Sequence, residues 1–412
     1  MNLTLSPVRL SGTVTAPPSK SHLHRALICA ALSRTPTRLE NAALCDDTEA
    51  TLGALAALGA RFVKDEAGLT VYPIETPPEE AVLECFESGS TLRFLLPVCA
   101  ALGVHARFLC RGRLASRPIA GLAEELSRHG ITFSSDHEIT GKLTCGTYEI
   151  GTDVTSQYLS GLLFALPLLA EDSTVRLTSP LASAPYAKLT EEVLSRFGAD
   201  PARTKETYRV RGIGRYTSPG TFSVEGDWSA AATFLAAGIG VCGLSPASVQ
   251  ADTALLAVLR GMGAEVQDAP DGAVRVSPFK PRPFVYDASH TPDLVPTLAV
   301  LAAAADGISR ITGISRLKYK ESDRVASVLA LLTSLGARAR AEDDTLVIDS
   351  AGRLCGGRID AFGDHRIAMA AALASHFSED AITLAGAECI CKSYPAFRDD
   401  FRRAGGIITL CE

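Results

Sequence analysis

The chain has 412 residues, which at the usual domain size of about 150 residues suggests two or three domains. Hydrophobic residues make up 47% and charged residues 21%, an ordinary globular composition that excludes a disordered chain. Lys and Arg number 40 against 46 Asp and Glu, a formal net charge of -6, so there is no basic excess with which to grip a nucleic acid. From the N-terminus, the first residues (M-N-L-T-L-S-P-V-R-L-S-G) lack the basic, apolar and small-residue order of a signal peptide. The 11 cysteines are scattered and form no C-x-x-C pair, which fits reduced thiols in a cytoplasmic protein. The 24 uncharged residues between Asp227 and Asp252 are too rich in Gly and Ala, and too interrupted by Pro246, to read as a membrane span.

In chain order, an amphipathic helix ending in Gly recurs six times. Its copies close at Gly59, Gly130, Gly198, Gly263, Gly336 and Gly405, spaced 65 to 73 residues apart. Glycine is expected just past a helix C-terminus because it enters the left-handed region freely. Each repeat also holds an earlier and far more apolar segment, such as R-A-L-I-C-A-A-L, R-F-L-L-P-V-C-A-A-L-G or R-I-A-M-A-A-A-L-A. A helix apolar on all sides is a buried helix. The strand candidates G-L-T-V-Y-P, T-Y-R-V-R-G and T-L-V-I-D are short and alternating, so one face should meet water. The pattern predicts helices inside and sheets outside, the reverse of a (β/α)8 barrel, with three repeats in each of two domains.

No phosphate-binding G-x-G-x-x-G or G-x-x-x-x-G-K-[ST] loop occurs, which excludes the common nucleotide folds. His22 and His24 form an H-x-H without acidic or thiol neighbours at metal-site spacing, so neither metal nor cofactor is expected. The informative residues open the apolar helices: P-S-K-S-H-L-H-R from Pro18, E-S-G-S-T-L-R from Glu87, S-R-P-I from Ser116, T-S-Q-Y-L-S-G from Thr155 and E-G-D-W-S from Glu225. Further on come H-T-P-D from His290, K-E-S-D-R from Lys320, G-D-H-R from Gly363 and K-S-Y-P from Lys392. A cation at a helix N-terminus opposes the helix dipole unless an anion joins it, so Arg25, Arg93 and Arg366 point to a cationic pocket for phosphates and carboxylates. Asp293, Glu321 and Asp323 lie among these cations as candidates for acid–base work.

These motifs, in order from about residue 7 to 410, resemble the 5-enolpyruvylshikimate-3-phosphate synthase family, and K-E-S-D-R followed by D-H-R-I-A-M is specific to it. The resemblance implies an α/β fold, a two-domain inside-out α/β barrel in which each domain holds three βαβαββ repeats. It places one domain at 1–16 plus 226–412 and the other at 17–225, with the active site in the cleft where they meet. The implied reaction joins the 5-hydroxyl of shikimate 3-phosphate to C2 of phosphoenolpyruvate and releases phosphate, a step toward chorismate and the aromatic amino acids. Shikimate 3-phosphate would be held by Lys20, Ser21, Arg25, Thr155, Ser156, Gln157, Ser183, Asp293, Arg316 and Lys320, with Tyr186 nearby. Phosphoenolpyruvate would be held by Lys20, Gly89, Arg117, Gln157, Arg324, Arg366 and Lys392. Asp293 would take the proton from the 5-hydroxyl, Glu321 would protonate C3, and Lys20 would share in proton traffic.

Read without the family, Asp293 is a turn residue after Pro292, and Glu321 is an ion-pair partner of Lys320 or Arg324. Departures from the family pattern are Arg316, where Asn or Glu is common, Lys318 in place of Arg, and Glu87 where Asn is frequent. Gly89 keeps the small residue that lets glyphosate compete with phosphoenolpyruvate. Two alternatives remain: the sister UDP-N-acetylglucosamine enolpyruvyl transferases, whose reactive Cys falls here at Gly112, and an inactive binding module of the same fold. The protein is expected to act as a cytoplasmic monomer on small molecules, with neither nucleic acid nor membrane as partner.

Overall fold

The apolar segments become helices that are buried beyond their first residues: Lys20–Ala31, Gly89–Leu102, Gln157–Ala165, Trp228–Ala236, Val295–Ala303 and His365–Phe377. The computed structural model describes residues 1–66, 68–134, 137–269 and 272–411. Small side chains make such crowding possible. At Gly161 a Cβ would stand 2.3 Å from the Arg93 carbonyl oxygen, so the helices Gly89–Leu102 and Gln157–Ala165 meet backbone to backbone. Pro167 ends the third of these helices early, and the chain passes into a 3-10 turn at Leu166–Leu168.

Six amphipathic helices alternate with the buried ones: Asp46–Ala57, Ala120–Arg128, Ala184–Arg196, Leu255–Gly261, Arg324–Ser334 and Phe397–Arg403. Two residues past each stands one of the repeat glycines, all six left-handed with φ between 77° and 105°. The strands form six four-stranded sheets, each with one parallel and two antiparallel pairings. One repeat shows the order. Glu80–Phe86 runs parallel to His105–Cys110 across the buried helix Gly89–Leu102, and after the helix Ala120–Arg128 the hairpin Ile131–Phe133 and Glu138–Gly141 completes the sheet. This is βαβαββ.

The strands Gly68–Tyr72 and Thr207–Val210 bury alternate residues, as their sequences imply. Thr345–Ala351 departs from that pattern, because Leu346, Val347 and Ile348 are all buried. Val347 lies between Arg310 and Arg340 on the flanking strands, and their aliphatic stems can cover it while both heads reach water.

The chain divides into two compact units, Met1–Pro17 with Glu225–Glu412 and Pro18–Val224. Each unit carries three of the sheets and a hydrophobic core of its own. Two edge strands account for the discontinuity. Thr13–Thr15 pairs in parallel with Gly240–Cys242, and Thr221–Ser223 pairs in parallel with Thr37–Glu40, so each unit takes one edge strand from just before the chain leaves for the other. Within the uncharged stretch after Asp227 the helix is nine residues, Trp228–Ala236. Among the described residues no helix is long and apolar enough to cross a membrane.

Candidate active site

In the unit Pro18–Val224, polar side chains at the starts of three buried helices are tied into one network. Ser19 caps the helix Lys20–Ala31 by accepting from the His22 amide, which leaves Lys20 and Ser21 in its first turn. Lys20 Nζ pairs with Asp47 Oδ2 at 2.8 Å. Arg25 is 2% exposed, donating from Nε to Thr190 Oγ1 at 2.8 Å, from Nη1 to the Ser21 carbonyl at 2.6 Å and from Nη2 to the Tyr186 carbonyl at 3.1 Å. Its guanidinium also lies 5.1 Å from the centre of the Phe94 ring. These partners are all neutral. Burial accordingly pushes the Arg25 pKa down to about 10.

Gln157 is fixed at both ends of its amide: Oε1 accepts from Arg93 Nη1 at 2.7 Å, and Nε2 donates to Ser90 Oγ at 3.0 Å. Thr155 Oγ1 accepts from the Gln157 amide, and Ser156 begins the same helix. Arg117, at the end of the 3-10 turn Gly112–Ser116, packs over Gly89. A Cβ at Gly89 would stand 2.9 Å from Arg117 Nη1 and 3.1 Å from Arg93 Nη1, so the missing side chain is what admits two guanidinium groups. Glu87 lies against Gly112. Ser183 opens the helix Ala184–Arg196 with a left-handed φ of 52°, a conformation that for a serine calls for support from its surroundings. Its carbonyl accepts from the Tyr186 amide, and the Tyr186 carbonyl is the one that Arg25 binds.

The other unit surrounds its arginine with carboxylates. Arg324 is 1% exposed and uses every guanidinium N–H: Nε and Nη2 reach Asp364 at 2.9 and 3.3 Å, Nη2 also reaches Glu321 at 2.8 Å, and Nη1 reaches Asp293 at 2.7 Å and the Pro292 carbonyl at 3.4 Å. Its donors already organise three acids, and one would have to let go before a substrate could bind there. Lys320 Nζ lies 3.2 Å from Asp293 Oδ1. Burial alone would raise the Asp293 pKa, but Lys320, Arg324 and Arg366 outweigh it and hold the carboxyl well below the usual carboxylate range. Asp323 is a helix cap, accepting from the Ala326 amide at 3.2 Å, and it is not in this cluster.

Asp364, the first residue of the D-H-R motif and one given no role from the sequence, places a carboxylate at the helix start that Arg366 shares. It caps His365–Phe377, accepts from the Arg366 amide at 2.9 Å and also binds Ser322 Oγ and Arg324. Lys392 Nζ donates to the Gly363 carbonyl at 2.8 Å, just ahead of this cap. Arg316 donates to the Ser289 carbonyl. Asp252 was also missed. It is 1% exposed, accepts a hydrogen bond from Ser229 Oγ, and is pushed up to about 7 by burial and by the field of Asp293. An Asp before a buried helix with Arg at its second position is a readable signal for Asp364. Asp252 has no such signal, because its importance comes from burial beside residues far along the chain.

The two histidines of H-x-H have separate surroundings. His24 Nδ1 is 2.7 Å from Thr51 Oγ1, and His22 packs edge-on against Phe222. Burial, then Lys20 and Arg25, hold the His24 pKa well below its ordinary value. Among the described residues no group of three or more His, Cys, Asp or Glu could hold a metal ion.

Comparison with known proteins gives a consistent result. The family described as EPSP synthase (3-phosphoshikimate 1-carboxyvinyltransferase) matches residues 5–401. A 3-phosphoshikimate 1-carboxyvinyltransferase of Clostridium kluyveri is 37% identical, with 98% of each chain covered. One from Methanocorpusculum labreanum is 36% identical, covering 98% of this chain and 99% of its own. Among solved structures, an EPSP synthase from Acinetobacter baumannii superposes with a TM-score of 0.80 at 23% identity, covering 99% of this chain and all of the other. The enolpyruvyl transferase NikO from Streptomyces tendae gives 0.75 at 22%, covering 99% and 98%. At those identities the likeness shows a shared fold.

Proposed function

Because this chain belongs to the EPSP synthase family, we propose that it transfers the enolpyruvyl group of phosphoenolpyruvate to the 5-hydroxyl of shikimate 3-phosphate and releases phosphate. The observation that carries the reading is the pairing of acids with cations around Arg324, where residues of the K-E-S-D-R and D-H-R motifs and Asp293 meet. Both substrates are anions, and each unit supplies cations for them. Arg25 and Lys20 serve shikimate 3-phosphate, with Ser21, Thr155, Ser156, Gln157 and Ser183 as neutral donors. Gly89, Arg117, Arg366 and Lys392 serve phosphoenolpyruvate, and Lys320 and Arg316 complete the acceptor side. Arg324 acts at one remove, by positioning Asp293 and Glu321.

Asp293 takes the 5-hydroxyl proton and Glu321 delivers a proton to C3 of phosphoenolpyruvate. The structure sets a condition on each step. Asp293 is a weak base while Lys320, Arg324 and Arg366 face it, so anionic substrates that draw on Lys320 and Arg366 raise its basicity as they bind. Glu321 must likewise release Arg324 before it can carry a proton. Loss of phosphate then needs the reverse transfers, from C3 and to the leaving group. The protein works in the cytoplasm as a monomer, without cofactor. A phosphate-release assay tests the acceptor: turnover with shikimate 3-phosphate and none with UDP-N-acetylglucosamine is expected, and the opposite preference would overturn the reading.

A further inference from the structure

Two thiols outside the acid–base machinery lie across a strand pair whose ends lead into the loops carrying Gly89 and Arg117. In the strand Glu80–Phe86, Leu83 and Cys85 face the buried helices, and in His105–Cys110 so do Ala106 and Phe108. Cys110 has the same parity. The parallel register runs Glu84 to Leu109 and then shifts, so that Phe86 faces Cys110 and Cys85 is the extra residue of a bulge beside it. Neighbouring strands lie about 4.8 Å apart, inside the Cα range of roughly 4.4–6.8 Å that a disulfide accepts. The two thiols lie close enough to perturb each other's ionisation, and all 11 cysteines are free in this state.

Their environments divide the work. Cys85 is buried and Cys110 is half-buried. The neighbouring Cys85 thiol, helped by the nearby Arg93 guanidinium, lowers the Cys110 pKa against the effect of partial burial, while Cys110 and burial together raise Cys85 well above its ordinary value. An accessible thiol biased toward thiolate, with a second thiol beside it on the paired strand, is the arrangement of an attacking and a resolving cysteine.

We propose that Cys85 and Cys110 form a reversible disulfide when the protein meets a hydroperoxide, and that this bond weakens phosphoenolpyruvate binding. The Cys110 thiolate attacks the peroxide oxygen, breaking the O–O bond and giving a sulfenic acid and water (or an alcohol). The Cys85 sulfur then attacks Cys110 Sγ. The S–S bond forms, the sulfenic oxygen leaves as water, and that water carries away the Cys85 proton. Two thiols are oxidised by two electrons, and the peroxide is reduced by the same two.

Closing the sulfurs to about 2 Å pulls on both loops. The Cys85 carbonyl accepts from the amide of Ser88, the cap of the helix that begins at Gly89. Beyond Cys110, the Arg111 amide binds the Phe86 carbonyl at 2.6 Å, and Gly112 packs on Glu87 ahead of Arg117. The effect on phosphoenolpyruvate rests on the reading of Gly89 and Arg117 given above; formation of the bond does not.

The test uses the full chain treated with hydrogen peroxide, alkylated with N-ethylmaleimide and digested with trypsin. The peptide Phe108–Arg111 should appear joined to the peptide that contains Cys85, and dithiothreitol should release it. The Cys110→Ser and Cys110→Ala variants should give no such product. Recovery of both thiols alkylated, or of Cys110 as sulfinic acid with Cys85 still alkylated, overturns the proposal. In phosphate-release assays the oxidised parent should show a severalfold higher KM for phosphoenolpyruvate, restored by dithiothreitol and absent in both variants. A crosslink that leaves KM unchanged removes the link to the site. A crosslink in a protein whose reduced form releases no phosphate leaves the disulfide standing and removes the enzymatic reading instead.

Discussion

Each unit buries an arginine toward the N-terminal end of a helix, Arg25 in the second turn of Lys20–Ala31 and Arg324 at the first residue of Arg324–Ser334, and the two are surrounded in opposite ways. Arg25 sits among neutral oxygens and an aromatic ring, whereas Arg324 holds Asp293, Glu321 and Asp364 at once. A buried cation with only neutral partners retains its attraction for an incoming anion. One already matched by carboxylates has little left to offer and instead fixes the position and charge of its acids. One unit thus holds a cation among neutral donors, and the other holds a cation neutralised by acids, which is the basis for the proposed division into binding and acid–base chemistry.

Substitutions at the two clusters should fail in different ways. The largest effect is expected on turnover: Asp293→Asn and Glu321→Gln should each lose about 10²–10⁴-fold in kcat while circular dichroism shows an intact fold. Near-parental kcat in either variant would remove its assignment. Arg324→Met should next show up as instability, because the buried Asp364 and the half-buried Asp293 and Glu321 lose their common partner. A loss of roughly 3–5 kcal/mol is expected in urea unfolding. Arg25→Gln should cost much less stability and should instead raise the KM for shikimate 3-phosphate about 10–100-fold, the scale of one charge-assisted hydrogen bond. Equal destabilisation by the two arginine variants would erase the contrast. Gly89→Ala should produce a smaller, severalfold rise in KM for phosphoenolpyruvate and weaker competition by glyphosate, because the added methyl displaces Arg117 and Arg93.

The smallest effects concern pH. His376 accepts the Leu10 amide at Nδ1 over 2.9 Å, and burial holds its pKa down at about 4. The unfolded chain then binds the proton more readily, so stability from this residue is present above about 6.5 and is lost as pH falls toward 4. Thermal melts of His376→Asn, whose amide oxygen can still accept from Leu10, should lose that share of the acid sensitivity. Asp252 has the opposite sign. Its raised pKa means the folded state holds the proton more tightly, so its contribution declines as pH climbs from about 4 to about 7. Asp252→Asn should gain stability relative to the parent across that interval, and a constant difference would show that Asp252 does not titrate there.

Much of this was legible in the sequence because it is local. Helix caps, left-handed glycines and apolar runs each depend on a few neighbouring residues, so Gly59 through Gly405 marked the repeats and the buried helices followed from composition. The motifs of the candidate site were legible for a similar reason: Lys320, Glu321 and Arg324 are close along the chain. What stayed hidden depends on distant pairing. Nothing around Thr13–Thr15 announces Gly240–Cys242 as its partner. The full set of partners of Arg324 was hidden for the same reason, since Asp364 arrives from 40 residues further on to occupy its Nε and Nη2. The pair with Glu321 could be read from three residues away along the chain, but only the fold shows that Asp293 and Asp364 join it.

The most direct test of the central claim is steady-state phosphate release by Asp293→Asn beside the parent, with shikimate 3-phosphate and phosphoenolpyruvate both varied. If the acid–base cluster performs the chemistry while the other unit's cations do most of the binding, kcat falls by at least about a hundredfold and the KM for shikimate 3-phosphate stays within a fewfold of the parent. A variant that keeps its kcat and loses only affinity would contradict that division of labour.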